Sequence, residues 1–337
     1  MKKDLNKLIS TDQIFNNQYY KKSNWIYLFI PLSYLLNFIN IVRNYLYEKN
    51  FLKKIKIRVP VVIIGNITLG GTGKTPLVLN LIHKFINQGL QPALISRGYG
   101  GDIRGTGEVF GFSDVKYVGD EALLIKTKFD IPVFVGKDRV SAAEDLLNKY
   151  PETSIILCDD GLQHLKLARD YEIAVIDSKR KFGNGLLFPA GPLREKVTRL
   201  DRVDAVVVKG ENENPQFFQM KYIPNNFVNL KTSSTISFSD IKNKKIVAIT
   251  AIGNPDSFFS TLTDSNLNFE RIIFNDHYLF QKDDFVKYED YNIVMTEKDA
   301  IKCKKFANTN FWVLPIDTEV DDRLFKDILK KTSLTHG

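Results

Sequence analysis

Cysteine is nearly absent from the 337 residues: only Cys158 and Cys303 occur, far apart and without a CxxC spacing. That excludes a disulfide framework and a cysteine-built zinc site, and it fits a reducing compartment. The chain holds four histidines, His83, His164, His277 and His336, too few and too scattered for a histidine-rich metal cluster. No internal repeat or low-complexity tract interrupts it. The sequence is 44% hydrophobic and 26% charged, which argues against global disorder, and its length suits two ordinary domains. Acid is the scarcer charge, 39 residues against 47 basic ones, for a net +8. A basic surface favours an anionic partner, but nucleic acid, anionic lipid and phosphorylated substrate all qualify, as does simple solubility.

Charge is missing altogether from Trp25 to Val42, WIYLFIPLSYLLNFINIV. As helix this run spans roughly 27 Å, just short of a typical hydrocarbon core. Lys21 and Lys22 precede it, and Arg43, Lys49, Lys53, Lys54, Lys56 and Arg58 follow. No small-residue cleavage site follows, so a secretory signal fits poorly. A core helix packed on the rest of the chain is one reading. The preferred one is a membrane-associating helix at the cytoplasmic face of a bilayer, with aromatics at the interface and lysines against lipid phosphates.

The body alternates strands and helices. Val59–Gly65 (VPVVIIG) is a short unbroken apolar run, as buried parallel strands are. Similar runs recur at PALIS, IPVFVG, SIILCDD, YEIAVID and VDAVVVK, and beyond a polar, Asn-rich stretch at KIVAITAIG, FERIIF, YNIVMT and FWVLPI. The fold class is therefore α/β: a P-loop NTPase-type doubly wound sheet plus a second, smaller α/β/α domain. The expected boundaries are 1–56 for the membrane-associating segment, 57–210 for the nucleotide-binding domain, 211–228 for a linker and 229–337 for the C-terminal domain.

After the first strand comes TLGGTGKT, Thr68, Leu69, Gly70, Gly71, Thr72, Gly73, Lys74 and Thr75. It matches GxxxxGK[ST] except that Thr68 replaces the first glycine. The glycines let backbone N–H groups turn inward around phosphate oxygens, Lys74 reaches the β- and γ-phosphates, and the Thr75 hydroxyl serves Mg²⁺. Strand before and helix after are the context such a loop needs. It also needs an acid at the end of a neighbouring strand. IILCDDG supplies Asp159 and Asp160, about 85 residues on. Leu69 stands where switch and partitioning ATPases carry a lysine. The one [NT]KxD match, TKFD at Thr127–Asp130, lies before the metal strand rather than after it, as GTPases require. ATP is therefore the preferred nucleotide. The alternative is a P-loop GTPase or metallochaperone acting by partner binding. It needs guanine selectivity and a metal-handling motif, and neither is clear. An inert membrane scaffold is opposed by the intact Lys74 and Thr75.

Several further motifs occur in order: GGTGKTP (Gly70–Pro76), SRGYGG (Ser96–Gly101), VGDEA (Val118–Ala122), DDGLQH (Asp159–His164), PAGPLRE (Pro189–Glu195), IGNP (Ile252–Pro255), DHY (Asp276–Tyr278) and TEKDA (Thr296–Ala300). With them the chain resembles, nearly end to end, the tetraacyldisaccharide 4'-kinases, the lipid A 4'-kinases of Gram-negative bacteria. The resemblance implies transfer of the ATP γ-phosphate to the 4'-hydroxyl of a lipid-linked glucosamine disaccharide 1-phosphate. It further implies two α/β/α domains joined by a short β linker, an active site in the cleft between them, and a place on the cytoplasmic side of the inner membrane. The implied partners are the lipid A disaccharide precursor and the membrane, not nucleic acid; the implied cofactors are ATP and Mg²⁺.

Carried over residue by residue, Asp120 resembles the catalytic base and His277 the group that orients or tunes it across the cleft. Glu121, Asp159 and Asp160 would serve Mg²⁺ with Thr75. Gln163 and His164 fall where substrate or phosphate contacts belong, and Arg97 and Arg194 suit anionic phosphate groups. Each has a plainer reading: Asp120 and Glu121 suit a helix's first turn, His277 a structural role, and the arginines surface ion pairs. Lys298 and Asp299 in TEKDA read equally as a helix start and stay outside the catalytic set. Tyr278 departs from the resemblance, standing where many members carry another histidine.

Overall fold

The computed structural model describes Tyr19 and residues 24–334, with side chains from Ile26 onward besides that of Tyr19. Expectations that rest on Lys21, Lys22, the Trp25 side chain or His336 lie outside the described residues.

A 3₁₀ turn, Asn24–Phe29, runs into helix α1, Ile30–Glu48. Ile26–Glu48 is long and apolar enough to cross a membrane by length and composition. Little of it is buried: Leu28 is 82% exposed and Phe38 62%, with Tyr34, Leu35, Ile39 and Val42 also open. One face is anchored. Ser33 Oγ donates to Leu187 O (2.8 Å) and accepts from Ala190 N (3.0 Å), while Tyr19 Oη donates to Pro189 O (3.1 Å). Tyr19, Ile26 and Ala190 form a small apolar cluster with Leu69 of the glycine loop packed against it. The core-helix reading is thus not what the structure gives for most of this segment.

The first sheet forms around β1, Val61–Gly65, which is entirely buried because β-branched residues fill both its faces. After α2, Lys74–Asn87, come β2 (Pro92–Ser96), β3 (Thr106–Glu108), α3 (Val115–Val118), α4 (Asp120–Lys128), β4 (Val133–Gly136), α5 (Arg139–Lys149), β5 (Ile155–Asp159), β6 (Tyr171–Asp177) and β7 (Ala205–Lys209). β1 pairs in parallel with β5 on one side and β6 on the other. Each apolar run named before the Asn-rich stretch is one of these strands. Two layers of buried side chains cover the sheet, one around Leu77, Leu81 and Phe85 of α2 and one around Val140, Ala143 and Leu146 of α5.

The stretch expected as a linker is partly strand. β8, Phe218–Pro224, adds in parallel to β7. The chain then builds a second, six-stranded sheet from β9 (Phe227–Asn229), β10 (Thr235–Ile236), α6 (Phe238–Ile241), β11 (Ile246–Thr250), α7 (Pro255–Asp264), β12 (Glu270–Ile273), β13 (Asn292–Thr296), α8 (Glu297–Cys303) and β14 (Phe311–Leu314). It does not end there. β15, Ile316–Val320, returns antiparallel to β8, and Leu324, Phe325 and Ile328 of α9 (Asp322–Lys331) join the first sheet's core. The first sheet therefore has nine strands, in the order β15-β8-β7-β6-β1-β5-β2-β4-β3. The second sheet is an insertion hung on two adjacent strands, not the whole of 229–337. The amphipathic pattern of α9 demands an apolar partner, and the first sheet beside α2 supplies it through the Phe85–Phe325 ring pair at 5.1 Å.

Asp299 in α8 shows how the second sheet is fixed internally. Fully buried, it accepts from Thr250 Oγ1 (2.7 Å), Thr296 Oγ1 (2.7 Å) and Ala251 N (3.2 Å), and pairs with Lys302 at 2.9 Å. Removing one member of a buried pair leaves the other charge uncompensated. Asp299→Ala is expected to cost about 3–5 kcal/mol of stability, read from denaturant unfolding of the purified variant.

Candidate active site

The glycine loop leaves β1 at the C-terminal edge of the first sheet, the position where open α/β sheets bind ligands. Gly73 takes φ +100° and hands the chain into α2. A Cβ there would lie 2.7 Å from Tyr222 Oη, so both conformation and space require glycine. β5 runs alongside β1 with Ile64 opposite Asp159, which puts the DDG acids beside the loop. Lys74 Nζ lies 3.3 Å from Asp160 Oδ1 and donates to Asn66 Oδ1 at 3.4 Å. Arg194 Nη1 holds both oxygens of Asp160, at 3.1 and 3.2 Å.

The two aspartates therefore live in different fields. Burial alone would raise the Asp160 pKa, but Lys74 and Arg194 outweigh it and hold the carboxyl below its ordinary range. Asp160 also adopts a left-handed backbone, φ +49°, a strain that an ordered site tolerates. Asp159 is buried with no side-chain hydrogen-bond partner among the described residues. Desolvation and the nearby Glu121 push its pKa up to about 7 against the pull of Lys74. A buried carboxylate facing a second carboxylate beside a phosphate loop is the donor set that a hard divalent cation satisfies. Glu121, Asp159 and Thr75 fit such an ion. Asp160, expected in the same set, is instead taken by Lys74 and Arg194. Among the described residues no three His, Cys, Asp or Glu side chains gather into a metal cage.

The second sheet closes over the loop. The segment after β11 brings Gly253 so near that a Cβ on it would sit 2.9 Å from Gly71 N. Arg180 Nη1 donates to Gly253 O at 3.0 Å, and Asn254 Nδ2 donates to Asp177 Oδ2 at 3.1 Å. Lys209 joins Asp177 at 2.6 Å and donates to Ser257 Oγ at 3.1 Å. Asp177 and Lys209 end the adjacent strands β6 and β7, in register with each other. The sequence reading passed over this cluster; polar residues at the ends of parallel apolar strands were the signal available.

At the opposite side, α4 and α8 meet. Asp120, in the first turn of α4, is 1% exposed. His277 Nδ1 lies 2.9 and 3.0 Å from its two oxygens, and since an ionised carboxylate only accepts, Nδ1 carries the proton. Lys298 Nζ stands 3.6 Å from Asp120 Oδ1 and donates to Glu121 Oε1 at 3.1 Å; Lys302 Nζ is 3.8 Å from Asp120 Oδ2. Burial would raise the Asp120 pKa, but Lys298, His277 and Lys302 overcome it and hold the carboxyl ionised. Conversely, burial and Lys298 oppose the charged form of His277, and the hydrogen bond to Asp120 together with the charges of Asp120 and Asp276 outweighs them, raising its pKa. His277 has φ +60° and rests its ring on Tyr99 at 4.8 Å. Lys298 and Lys302 were both left out by the sequence reading.

Between these fastenings lies a cleft of about 700 Å³ whose walls include Leu69–Thr75, Glu121, Asp160, Arg194, His277 and Lys298. Thr68 sits behind it, bridged through its backbone to Leu193. Three expected contact residues lie elsewhere. Arg97 is exposed and does not line the cleft. His164 points toward Asp138, 3.9 Å away, where burial and Arg139 hold its pKa down at about 4. Gln163 supports the wall from behind, donating to Glu195 Oε1 (2.8 Å) and Asn66 O (3.1 Å) and accepting from Arg194.

Fold and site together define a P-loop nucleotide-binding protein whose second lobe brings a histidine onto a buried carboxylate of the first, beside the cleft that the phosphate loop lines. The family described as tetraacyldisaccharide-1-P 4'-kinase matches residues 25–333. Tetraacyldisaccharide 4'-kinases of Methylobacillus flagellatus and Ruthia magnifica are each 41% identical, covering 93% and 90% of this chain and 94% and 95% of their own. The crystal structure of the Aquifex aeolicus LpxK "apo" form in complex with ATP superposes with a TM-score of 0.76 at 28% identity, over 92% of this chain and 100% of that one. The chain belongs to the tetraacyldisaccharide-1-P 4'-kinase family.

Gly73→Ala would force a side chain into a left-handed position against Tyr222. ATP affinity measured by calorimetry is expected to fall at least about tenfold, a penalty of about 1–2 kcal/mol from conformation alone plus the steric contact.

Proposed function

We propose that this protein transfers the γ-phosphate of ATP to the 4'-hydroxyl of a tetraacyl glucosamine disaccharide 1-phosphate, completing a late phosphorylation in lipid A synthesis. The observation that carries the reading is the juxtaposition, across one cleft, of a phosphate loop with His277 and, behind it, the Asp120 carboxylate that it holds. Such a pair fits a hydroxyl acceptor. Phosphoryl transfer passes through a loose transition state, so the protein's task is chiefly positioning and charge stabilisation. Asp120, kept ionised, accepts a hydrogen bond from the acceptor hydroxyl and takes its proton as the new P–O bond forms and the bond from the γ-phosphorus to the β–γ bridging oxygen breaks, with ADP as the leaving group. His277 holds the carboxylate's orientation and stabilises its charge until the proton arrives. Lys74 sits at the loop to meet the β- and γ-phosphates once it exchanges Asp160 for the nucleotide. Glu121, Asp159 and Thr75 are the residues to hold Mg²⁺, which when bound neutralises charge between the β- and γ-phosphates. The partner-binding GTPase alternative has nothing comparable to explain a buried, cation-flanked carboxylate at the loop's end.

The acceptor is a lipid, and the exposed apolar face of α1 fits attachment to the membrane that presents it, at its cytoplasmic side. α1 is fastened to the Leu187–Ala190 segment, and Phe188 and Pro189 of that segment line the cleft. The membrane-facing element is thus joined to the cleft wall.

Incubation of the full chain with γ-labelled ATP and the lipid disaccharide 1-phosphate is expected to yield a labelled bisphosphorylated product. ATP binding without label transfer would sink the reading. Asp120→Asn is expected to lower kcat by about 10²- to 10⁴-fold while ATP affinity moves only a few-fold. For the membrane, Leu35→Glu with Phe38→Glu should abolish co-sedimentation with anionic phospholipid vesicles and leave ATP binding intact. Retention of the double variant on vesicles would defeat the role given to α1.

A further inference from the structure

We propose that Lys298 is a positioning residue for the transfer reaction, the cation through which the second sheet fixes the Asp120–Glu121 pair of the first. The inference rests on the kinase reading above. Lys298 extends from the first turn of α8 into the cleft, its side chain only 15% exposed. Its ammonium touches three carboxylates: Glu121 Oε1 at 3.1 Å, Asp120 Oδ1 at 3.6 Å and Asp276 Oδ1 at 3.8 Å. Two of these belong to α4 of the first sheet. The third adjoins His277 and lies 3.6 Å from His277 Nε2. One ammonium thus spans the base, its acidic neighbour and the loop that carries the histidine.

This arrangement differs from a surface ion pair. The Lys298 ammonium and the Asp120 carboxylate are withdrawn from water, with Asp276 the more open partner, so the geometry of each buried partner depends on the other's presence. Lys298 is also held on a rigid support. Thr296 caps α8 by accepting from Asp299 N at 3.2 Å, and Asp299 ties the helix to the end of β11 through Thr250 and Ala251. The other cation near Asp120, Lys302, is already engaged by Asp299 at 2.9 Å, closer than its 3.8 Å approach to Asp120. The groups facing Asp120 are therefore His277, Lys298 and Lys302 from the second sheet, with Glu121 beside it on α4. Of these cations, Lys298 alone also reaches Glu121. When the second sheet is in place, Lys298 sets the directions of both α4 carboxylates at once. When it moves away, both lose that restraint while the phosphate loop, on the first sheet, keeps its form.

The test compares Lys298→Met, Lys298→Arg, His277→Ala and the Lys298→Met/His277→Ala double variant in the labelled transfer assay, each with ATP affinity measured separately. Lys298→Met is expected to lower kcat on the order of 10²-fold, the effect of a misdirected reacting group, with ATP affinity within about threefold. Lys298→Arg is expected to recover much of the loss, because it keeps the charge while changing its shape. Lys298 and His277 act on the same carboxylate, so the double variant should lose less than the product of the single losses. A double-variant loss equal to or above that product overturns the inference, as does a Lys298→Met kcat within about threefold of wild type. If Lys298→Met is not folded, Lys298→Gln enters the same cycle. Wild-type protein that transfers no label defeats the kinase reading itself; a transferring wild type with independent losses defeats only the role of Lys298.

Discussion

The Asp120 carboxylate cannot be buried and ionised unless basic groups come to it, and among the described residues each one within 4 Å of it belongs to the other lobe. Desolvating an isolated carboxylate costs far more than a domain's net stability, so a lone Asp120 at this depth would take up a proton. His277, Lys298 and Lys302 reverse that balance. The closed arrangement of the lobes and the ionised state of the proposed base are consequently one condition. Drawing the second sheet back would remove the compensating charges and let water in together.

The opposite side of the cleft obeys the same rule with the signs exchanged. There a buried lysine, Lys209, is lowered in pKa by desolvation against the pull of Asp177, whose Oδ2 faces Lys209 and also accepts from Asn254 of the second lobe. The second sheet is thus held to the first at two charged points with the nucleotide loop between them. Backbone reinforces both: Gly253 lies against Gly71 too closely for any side chain, which brings the lobes to contact distance. The covalent connection is consistent with this. β8 and β15 run side by side, so the second lobe pivots on a paired strip rather than on a single thread.

Much of the fold was legible because its signals are local. Every apolar run read as a strand is a strand, and the glycine loop stands between β1 and α2 as its spacing requires. Asp120, His277, Lys74 and Asp159 were legible as a set only through a resemblance to a known family, since nothing local links residue 120 to residue 277. What stayed hidden was long-range. The return of β15 and α9 to the first sheet depends on β8 presenting an open edge, a property of the assembled sheet and not of residues 316–331. Lys298 escaped for a different reason. TEKDA does start a helix, with Thr296 as its cap, and the same first turn aims a lysine at α4. The helix start is what the structure gives, and the contact of Lys298 with α4 appears only in the packing of α8 on it. Arg97 and His164 failed the other way: motif position suggested contacts, but Arg97 faces solvent and the turn after β5 directs His164 to Asp138, away from the cleft.

The amino-terminal helix gives the cleft its orientation. α1 offers solvent a largely apolar face, while its buried Ser33 and Ile26 of the preceding 3₁₀ turn pack against the Leu187–Ala190 segment. A hydroxyl that accepts from Ala190 N and donates to Leu187 O fixes that segment at both ends, so the helix cannot roll without shifting Phe188 and Pro189. Leu69 packs on the same cluster, which places the phosphate loop one contact away from the apolar helix. An acyl-chain substrate is anchored at its tails and reactive at its sugar. On the proposed membrane attachment, joining the apolar helix to the rim of the cleft, rather than to a distant surface, would keep the reacting hydroxyl within reach without extracting the chains. The distance between α1 and the phosphate loop is set by side-chain contacts on one small cluster, and not by a flexible tether.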